Sequence, residues 1–371
     1  MKIAWIAFAR IERQESVLDA ARVLTSDRAS IRYRLLLPAH ALRELGYESC
    51  VVFISPDESP QELYRRVMAD VLVVTKLTPE DHKDKFDSVC KLITLARADG
   101  KPVVVDVCDD HFDFDYFRTL VRSGDFLVAP TAQMAETARR YSNRPCVVIP
   151  DPYEGHCRPP RVRRDELGID APLKLLWYGV RSNLPGIFAA VPRLALGGLP
   201  GELQIVSDGR ERAEAACAKW NRESGEAFRL RYTQWSAETM YQALENCDAV
   251  VVPASTSDPH KRVKSPNRVV EAIQAGRFVV ASPLPSYREF ARYGWIDDDL
   301  EAGLRWMIAQ PEEALARIIA GQAHVEKNYA PAIIAQRWHD ALNSFAKTPL
   351  ADRCSAVEVI TPLQYSRAAP S

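Results

Sequence analysis

The sequence has almost no excess charge of either sign, because 48 lysines and arginines stand against 49 aspartates and glutamates, for a formal net charge of −1. Nucleic-acid-binding proteins usually carry a basic excess, so this balance argues against generic nucleic-acid binding. The sequence also lacks any apolar run of about 18 residues, the length that a membrane-spanning helix needs. The apolar start MKIAWIAF is only about one strand long, so we predict neither a signal peptide nor a membrane span.

Cysteine pairs are also missing. The eight cysteines are scattered, with no CxxC motif and no short-spaced framework. This pattern predicts reduced thiols and favours a cytoplasmic protein. The length of 371 residues, 47% of them hydrophobic and 26% charged, is typical of a globular protein with two domains.

Short segments rich in valine and isoleucine recur along the first half of the chain. Each is apolar on both faces, which is the pattern of a strand buried in a parallel sheet. These segments are residues 2–8, 49–54, 70–75, 102–107, 126–130 and 146–150. Between them, residues 29–47 predict a helix that ends at Gly46, and residues 131–141 predict a helix with a threonine cap. This alternation predicts a doubly wound α/β domain.

The second half repeats the alternation. Its predicted strands are residues 173–179, 202–209, 248–254 and 278–282. Its predicted helices include residues 237–247, 312–326 and 331–346. We therefore predict two Rossmann-like doubly wound domains that face each other across a cleft, and such folds bind ligands at the carboxyl ends of their strands.

The domain boundaries follow from the same patterns. The first domain covers residues 1–155 and the second covers residues 173–330, and the proline- and arginine-rich segment 156–172 is predicted to link them. Residues 331–347 are expected to form a helix that packs back on the first domain. Residues 348–371 have no clear pattern and are predicted to be a tail.

One helix start in the second half combines several features of an anion site. In VKSPNRVVEAIQAG, residues 263–276, Ser265 is placed to cap the helix and Pro266 to open it. The free backbone N–H groups at such a start favour an anion by roughly 0.3–1 kcal/mol. Lys264 and Arg268 add two positive charges at the same end. These groups together predict a binding site for a phosphate or diphosphate.

Two polar residues continue this site along the helix. Asn267 and Glu271 are four residues apart and share a face, which we expect to point away from the core. A ribose beside Glu271 and a diphosphate at the helix start would use all of these groups. The alternative is an ordinary capped helix with a few exposed cations.

A longer stretch, residues 232–290, places a tryptophan loop, an aspartate-led apolar strand, a lysine turn, a glutamate-bearing helix and a later acidic residue in a fixed order. The residues that carry this pattern are Trp235, Asp248, Pro253, Lys264, Glu271, Gly276 and Glu289. The pattern resembles the donor-binding half of GT-B-fold glycosyltransferases, in particular the nucleotide-sugar-dependent group that includes the family 4 retaining enzymes. Segments of the first half, such as VVVDVCDDHFD, fit the same family. One departure is that Val263 stands where family 4 enzymes carry the first glutamate of a Glu-x7-Glu pair.

The resemblance implies that the second domain binds a nucleotide-sugar donor and that the first binds the acceptor. It assigns the diphosphate to the helix start, with Gly179 and Arg181 in a second contact loop. Thr233, Gln234 and Trp235 would hold the nucleobase, although Trp235 packing under the following helix is an equal alternative. The implied donor-binding residues are Gly179, Arg181, Thr233, Gln234, Trp235, Lys264, Ser265, Asn267, Arg268 and Glu271.

The catalytic candidates are Lys264 and three polar residues, Asp109, Asp110 and His111, that follow a buried strand. Lys264 would stabilise the leaving diphosphate. If the reaction inverts the anomeric centre, one of the three would be the base that deprotonates the acceptor hydroxyl; if it retains, they would bind the acceptor. The nearby D-x-D, residues 113–115, is a weak metal motif, and we expect no essential metal.

Arg32 and Arg34 are acceptor-binding candidates, with an ordinary surface role as the alternative. We predict a metal-independent hexosyltransferase of polysaccharide biosynthesis that uses a saccharide or lipid-linked acceptor. Peripheral contact with the inner face of a membrane is a further expectation. The rival functions are a GT-B sugar-nucleotide epimerase and a non-catalytic module that binds a nucleotide or a partner.

Overall fold

The computed structural model describes residues 1–7, 17–20, 26, 28–54, 59–75, 82–162, 172–196, 200–224 and 227–348. The predicted tail beyond residue 348 and the middle of the predicted linker, residues 163–171, lie outside these ranges.

The first half is built on a seven-stranded sheet. Its strands are β1 (Lys2–Ala7), β2 (Val17–Asp19), β3 (Glu48–Phe53), β4 (Val71–Val74), β5 (Val103–Asp106), β6 (Phe126–Ala129) and β7 (Cys146–Val148). The strand order is β2-β3-β1-β4-β5-β6-β7, and every pair is parallel except β2 with β3. All six predicted strands are present. The short antiparallel edge strand β2 was not predicted.

Helices cover both faces of this sheet. They are α1 (Ala29–Ile31), a π-helix (Arg32–Leu36), α2 (Leu37–Glu44), α3 (Pro60–Val67), α4 (His82–Ala98), α5 (Asp115–Ser123) and α6 (Ala132–Tyr141). The helix predicted at 29–47 is thus interrupted by a π-helical segment. The threonine cap is confirmed, because the Thr131 hydroxyl accepts the N–H of Met134 at 3.1 Å.

The second half contains a six-stranded sheet in which every pair is parallel. Its strands are β8 (Leu173–Tyr178), β9 (Gly201–Ser207), β10 (Phe228–Gln234), β11 (Ala249–Val252), β12 (Phe278–Ala281) and β13 (Trp295–Ile296), in the order β10-β9-β8-β11-β12-β13. This order is that of a dinucleotide-binding Rossmann sheet.

Strand β10 was missed by the sequence analysis, which placed Thr233 and Gln234 in a loop. Both lie at the carboxyl end of β10, and Trp235 follows the strand directly. The reason is that β10 is an edge strand. Its residues alternate between the core and solvent, with Arg229 and Arg231 exposed, so it lacks the apolar pattern of a fully buried strand.

The helices of the second half are α7 (Leu184–Leu196), α8 (Arg210–Glu223), α9 (Ala237–Asn246), α10 (Pro259–Arg262), α11 (Asn267–Gln274), α12 (Leu300–Ala309) and α13 (Pro311–Tyr329). The chain then returns to the first half through α14 (Pro331–Lys347). Trp338 on α14 packs edge-on against Trp5 with ring centroids 5.2 Å apart, and Phe345 stacks on Phe126 at 4.0 Å. This last described helix therefore completes the core of the first sheet.

The seven cysteines in the part of the chain that the structure describes are free thiols. Among the same residues, no helix has the length and apolar character needed to cross a membrane.

Candidate active site

Loops at the carboxyl ends of the two sheets meet between the halves. Lys264, which follows β11 and α10, makes an ion pair with Asp109, which follows β5. One residue earlier, the carbonyl oxygen of Val263 accepts the hydroxyl of Thr131 at 2.9 Å. The side chain of Val263 is buried in the apolar cluster of the first half. A carboxylate at position 263 would face that apolar cluster, which accounts physically for the missing first glutamate.

The turn before α11 differs by one residue from the sequence prediction. Ser265 is not the cap, because its hydroxyl donates to Oδ1 of Asn267 at 2.6 Å instead of accepting a backbone N–H. Pro266 occupies the cap position and α11 begins at Asn267. The turn nevertheless faces the first half, as the contact between Lys264 and Asp109 requires.

Three cations converge on this turn. The pKa of Lys261 is lowered first by burial and then by the nearby charges of Lys264 and Arg268. Lys261 also donates to the side-chain oxygen of Asn183 in the turn that follows β8. Neighbouring charges of the same sign favour an anion among them. Lys261 and Asn183 were not among the predicted site residues, although the basic run before α11 was the signal that contained Lys261.

The side chain of Arg268 lies beside Gly179, which directly follows β8. Among the described residues, no acceptor lies within hydrogen-bond distance of the buried Nη1 of Arg268. A side chain at Gly179 would place its Cβ 3.7 Å from this nitrogen and 3.1 Å from the Trp177 ring. Glycine at position 179 therefore avoids a tight contact with the Trp177 ring, and it leaves this side of the guanidinium without a covering side chain.

Arg181 is not drawn into this cation cluster, which we define as Lys261, Lys264 and Arg268. Its side chain is 77% exposed, with Nε 3.9 Å from the carboxylate of Asp208, and its backbone N–H donates to Asp208 at 2.5 Å. Arg181 is therefore a solvated residue at the rim in this structure, and its predicted diphosphate contact would require the side chain to turn inward.

Glu271 lies on the predicted face of α11, away from the sheet, but it is buried and only 2% exposed. Its carboxylate accepts the N–H of Glu154 at 2.7 Å, the N–H of Gly155 at 3.1 Å and the hydroxyl of Tyr33 at 3.0 Å. Burial raises the pKa of Glu271 to about 7 in spite of these donors. The chain segment between the halves covers this face of α11, and the sequence did not predict this cover. The ribose contact remains a prediction.

Arg32 and Arg34 are also buried, contrary to their predicted acceptor-binding role. Nη2 of Arg34 lies 2.5 Å from Asp106, and its Nη1 lies 2.8 Å from Asp151. Arg32 makes an ion pair with Glu154 at 2.9 Å. The π-helix turns both guanidinium groups toward carboxylates inside the protein, so neither is available to an acceptor.

The three candidate base-binding residues lie together at the end of β10. Thr233 accepts from the side-chain amide of Gln204 at 2.9 Å, and Gln234 accepts from the Tyr232 hydroxyl at 2.6 Å. Trp235 is half-buried beside α9, and the Arg32 guanidinium lies 5.3 Å from its ring centroid. Trp235 therefore packs under the helix, as the alternative prediction had it, and also contacts Arg32. Its predicted contact with a nucleobase stays a prediction.

The wall that faces the cation cluster is acidic. Nδ1 of His260 lies 3.4 Å from Asp110 and its Nε2 lies 3.6 Å from Asp113, so the two halves are joined here as well. His111 packs edge-on against Phe117 with ring centroids 5.7 Å apart. His260 was not among the predicted site residues, because its contacts with Asp110 and Asp113 lie across the cleft and are not visible in local sequence.

The D-x-D motif is divided between two partners. Asp113 lies beside His260, whereas Asp115 makes an ion pair with Arg118 on α5. Within the described ranges, no group of three histidine, cysteine or acidic side chains is arranged to hold a metal.

The chain is similar to known proteins both in sequence and in structure. Residues 177–321 match the family described as Glycosyl transferases group 1. The structure of Anabaena Alr3699/HepE in complex with UDP-glucose is similar with a TM-score of 0.62 and 15% identity, over 93% of this chain and 100% of that one. None of the curated proteins that were compared is similar in sequence.

Two further structures share the architecture. The E. coli trehalose-6-phosphate protein bound with UDP-2-fluoro glucose matches with a TM-score of 0.62 and 10% identity, over 94% of this chain and 100% of that one. AviGT4, a glycosyltransferase involved in avilamycin A biosynthesis, matches with a TM-score of 0.55 and 13% identity, over 93% of this chain and 98% of that one. The chain therefore has the GT-B fold, with two Rossmann-like domains, and residues 177–321 of its second half are similar to the Glycosyl transferases group 1 family.

Proposed function

We propose that this protein transfers a sugar from a nucleotide-sugar donor to a hydroxyl group of a saccharide. The observation that carries the proposal is the cation cluster, which lies at the carboxyl edge of the second sheet and faces an acidic wall on the first. Cations on the donor side and carboxylates on the acceptor side match a diphosphate leaving group and a hydroxyl acceptor. The match of residues 177–321 to a glycosyltransferase family supports the same reaction.

The cation cluster would act on the leaving group. Negative charge builds on the nucleoside diphosphate as the glycosidic C–O bond breaks, and Lys264 and Arg268 are placed to stabilise it. Each charge-assisted hydrogen bond contributes about 1.5–3 kcal/mol. Lys261 would add a third positive charge that is partly shielded from solvent.

The acidic wall would hold the acceptor. Asp109 and Asp110 are only 16% and 14% exposed and lie across the cleft from Lys264 and His260. Their carboxylates can accept hydrogen bonds from sugar hydroxyls, and in an inverting reaction one of them could take the proton. The stereochemistry of the transfer decides between these two roles.

A saccharide acceptor fits this site, because its hydroxyl groups can donate to the acidic wall. The nearby cations Arg32 and Arg34 are paired with carboxylates, so they do not present a basic surface to an anionic membrane. In the linker, Arg158 pairs with Glu245 at 2.5 Å. The free thiols of the described residues are consistent with a cytoplasmic location, because reducing compartments maintain unpaired cysteines.

We also propose that transfer needs no metal, because the three cations can neutralise a diphosphate. Transfer in excess EDTA is expected to proceed at the rate measured in untreated buffer. Activity that disappears in EDTA and returns with Mg²⁺ or Mn²⁺ would contradict this proposal.

The donor can be identified by a thermal-shift screen with UDP, GDP, ADP, TDP and CMP. A nucleotide at 100 times its Kd stabilises the folded protein by about 2.7 kcal/mol, so one member should raise the melting temperature well above the others. The UDP ligands of two similar structures make UDP the first choice.

Product analysis then separates the rival functions. Transfer to a saccharide supports the proposal, whereas conversion of the donor without an acceptor would indicate an epimerase. Binding without any turnover would indicate a non-catalytic module. No shift with any nucleotide would overturn the proposal.

A further inference from the structure

The ion pair between Lys264 and Asp109 joins the donor side of the cleft to the acceptor side. The two residues belong to different halves and are 155 positions apart in the sequence. Lys264 is 41% exposed, whereas Asp109 is 16% exposed. The carboxylate of Asp109 contacts Lys264, which is the residue that the proposed function assigns to the diphosphate.

The surroundings of this pair are positive on the donor side. Burial lowers the pKa of Lys261 most, the nearby charges of Lys264 and Arg268 lower it further, and Asp109 acts on it in the opposite direction. The carboxylate thus partly neutralises the cation cluster. A diphosphate carries more negative charge than one carboxylate and offers more acceptor oxygens, so it is the stronger partner for these cations.

We propose that Asp109 and the donor diphosphate compete for Lys264, so that donor binding releases the Asp109 carboxylate to the acceptor. This inference rests on the proposed function and adds an order of events to it. Before the donor binds, the ion pair holds Asp109 away from an acceptor hydroxyl. After the donor binds, Lys264 contacts phosphate and Asp109 becomes a hydrogen-bond acceptor for the sugar.

The proposal is tested with inorganic pyrophosphate, which has the charge of the leaving group without a nucleoside. A partly exposed ion pair is worth up to about 1 kcal/mol, so Asp109→Asn is expected to tighten pyrophosphate binding about 5-fold in calorimetry. The same variant is expected to slow transfer, because the acceptor loses its carboxylate. Tighter anion binding together with slower transfer is an outcome that a merely structural role would not produce.

Two comparisons isolate the pair. Asp110→Asn removes the same charge one residue away, beside His260 rather than Lys264, and is expected to leave pyrophosphate affinity unchanged. In a Lys264→Ala background, Asp109→Asn should lose its effect, because the competing partner is gone. If the asparagine variant does not fold, Asp109→Ser replaces it.

Each other outcome is decisive. Equal tightening by Asp109→Asn and Asp110→Asn would show only a general charge effect and overturn the competition. Unchanged or weaker binding by Asp109→Asn, with wild-type protein that binds pyrophosphate, would overturn the competition and leave the proposed function intact. Wild-type protein that binds neither pyrophosphate nor any nucleoside diphosphate would overturn both.

Discussion

Replacing Lys264 with alanine is expected to lower kcat for sugar transfer about 100-fold or more, because one preorganised group on a developing negative charge is worth that much. Lys264 lies at the meeting point of the two halves, against Asp109 and near Lys261 and Arg268. The loss should fall mainly on kcat, since the charge on the diphosphate grows as the bond breaks. Initial-rate kinetics with the donor found in the thermal-shift screen measure both constants.

A matched lysine provides the control. Lys219 is exposed on α8 in the same half of the protein, so Lys219→Ala removes an equal charge away from the cleft and is expected to leave kcat unchanged. A folded Lys264→Ala protein with the wild-type rate would remove Lys264 from the mechanism. An equal loss in both variants would point to a general charge effect.

Replacing Arg34 with alanine is expected to lower the free energy of unfolding by about 3–5 kcal/mol, the usual cost of removing one partner from a buried ion pair. Arg34 is 1% exposed and makes ion pairs with Asp106 and Asp151, and its Nη1 also donates to the carbonyl of Ile149 at 2.7 Å. Without the arginine, two buried carboxylates lose their compensating charge. Urea denaturation followed by circular dichroism measures the change.

The control for this prediction lies on the neighbouring helix α2. Arg43 pairs with Asp19 at the surface, where the two side chains are 37% and 53% exposed. Arg43→Ala is therefore expected to cost at most about 1 kcal/mol. If Arg34→Ala keeps its stability but raises KM for the acceptor, the arginine binds substrate as the sequence first suggested, and the structural assignment is wrong.

The strands of this fold could be predicted wherever they are buried on both faces. β4 and β11 consist of consecutive apolar residues that the structure places entirely in the core. β2, β10 and β13 escaped prediction, and all three lie at sheet edges. β10 exposes polar residues to solvent and β13 is only two residues long, so the continuous apolar signal disappears.

The candidate site could be predicted only in part, for a similar reason. Local sequence located Lys264 at a helix start and Asp109 after a buried strand, but their contact spans 155 positions and depends on how the halves meet. The burial of Glu271 could not be predicted either, since helix periodicity shows one face pointing away from the sheet and not what covers it. In the structure, Tyr33 and the segment after β7 cover that face.

The two arginines were misassigned because helix periodicity shows which residues share a face, and not which residues elsewhere in the chain that face meets. In the π-helix, Arg32 reaches Glu154, Tyr33 reaches Glu271 and Arg34 reaches Asp106. This segment therefore connects the first sheet to the donor half. π-Helical turns are often found at functional sites, which agrees with its position beside the cleft.

The measurement that most directly tests the central claim is a crystal structure with the nucleoside diphosphate that the protein binds. The account predicts phosphate oxygens about 2.7–3.2 Å from the side-chain nitrogens of Lys264 and Arg268, in the cleft between the two sheets. Phosphates bound elsewhere, with both side chains left uncontacted, would contradict it.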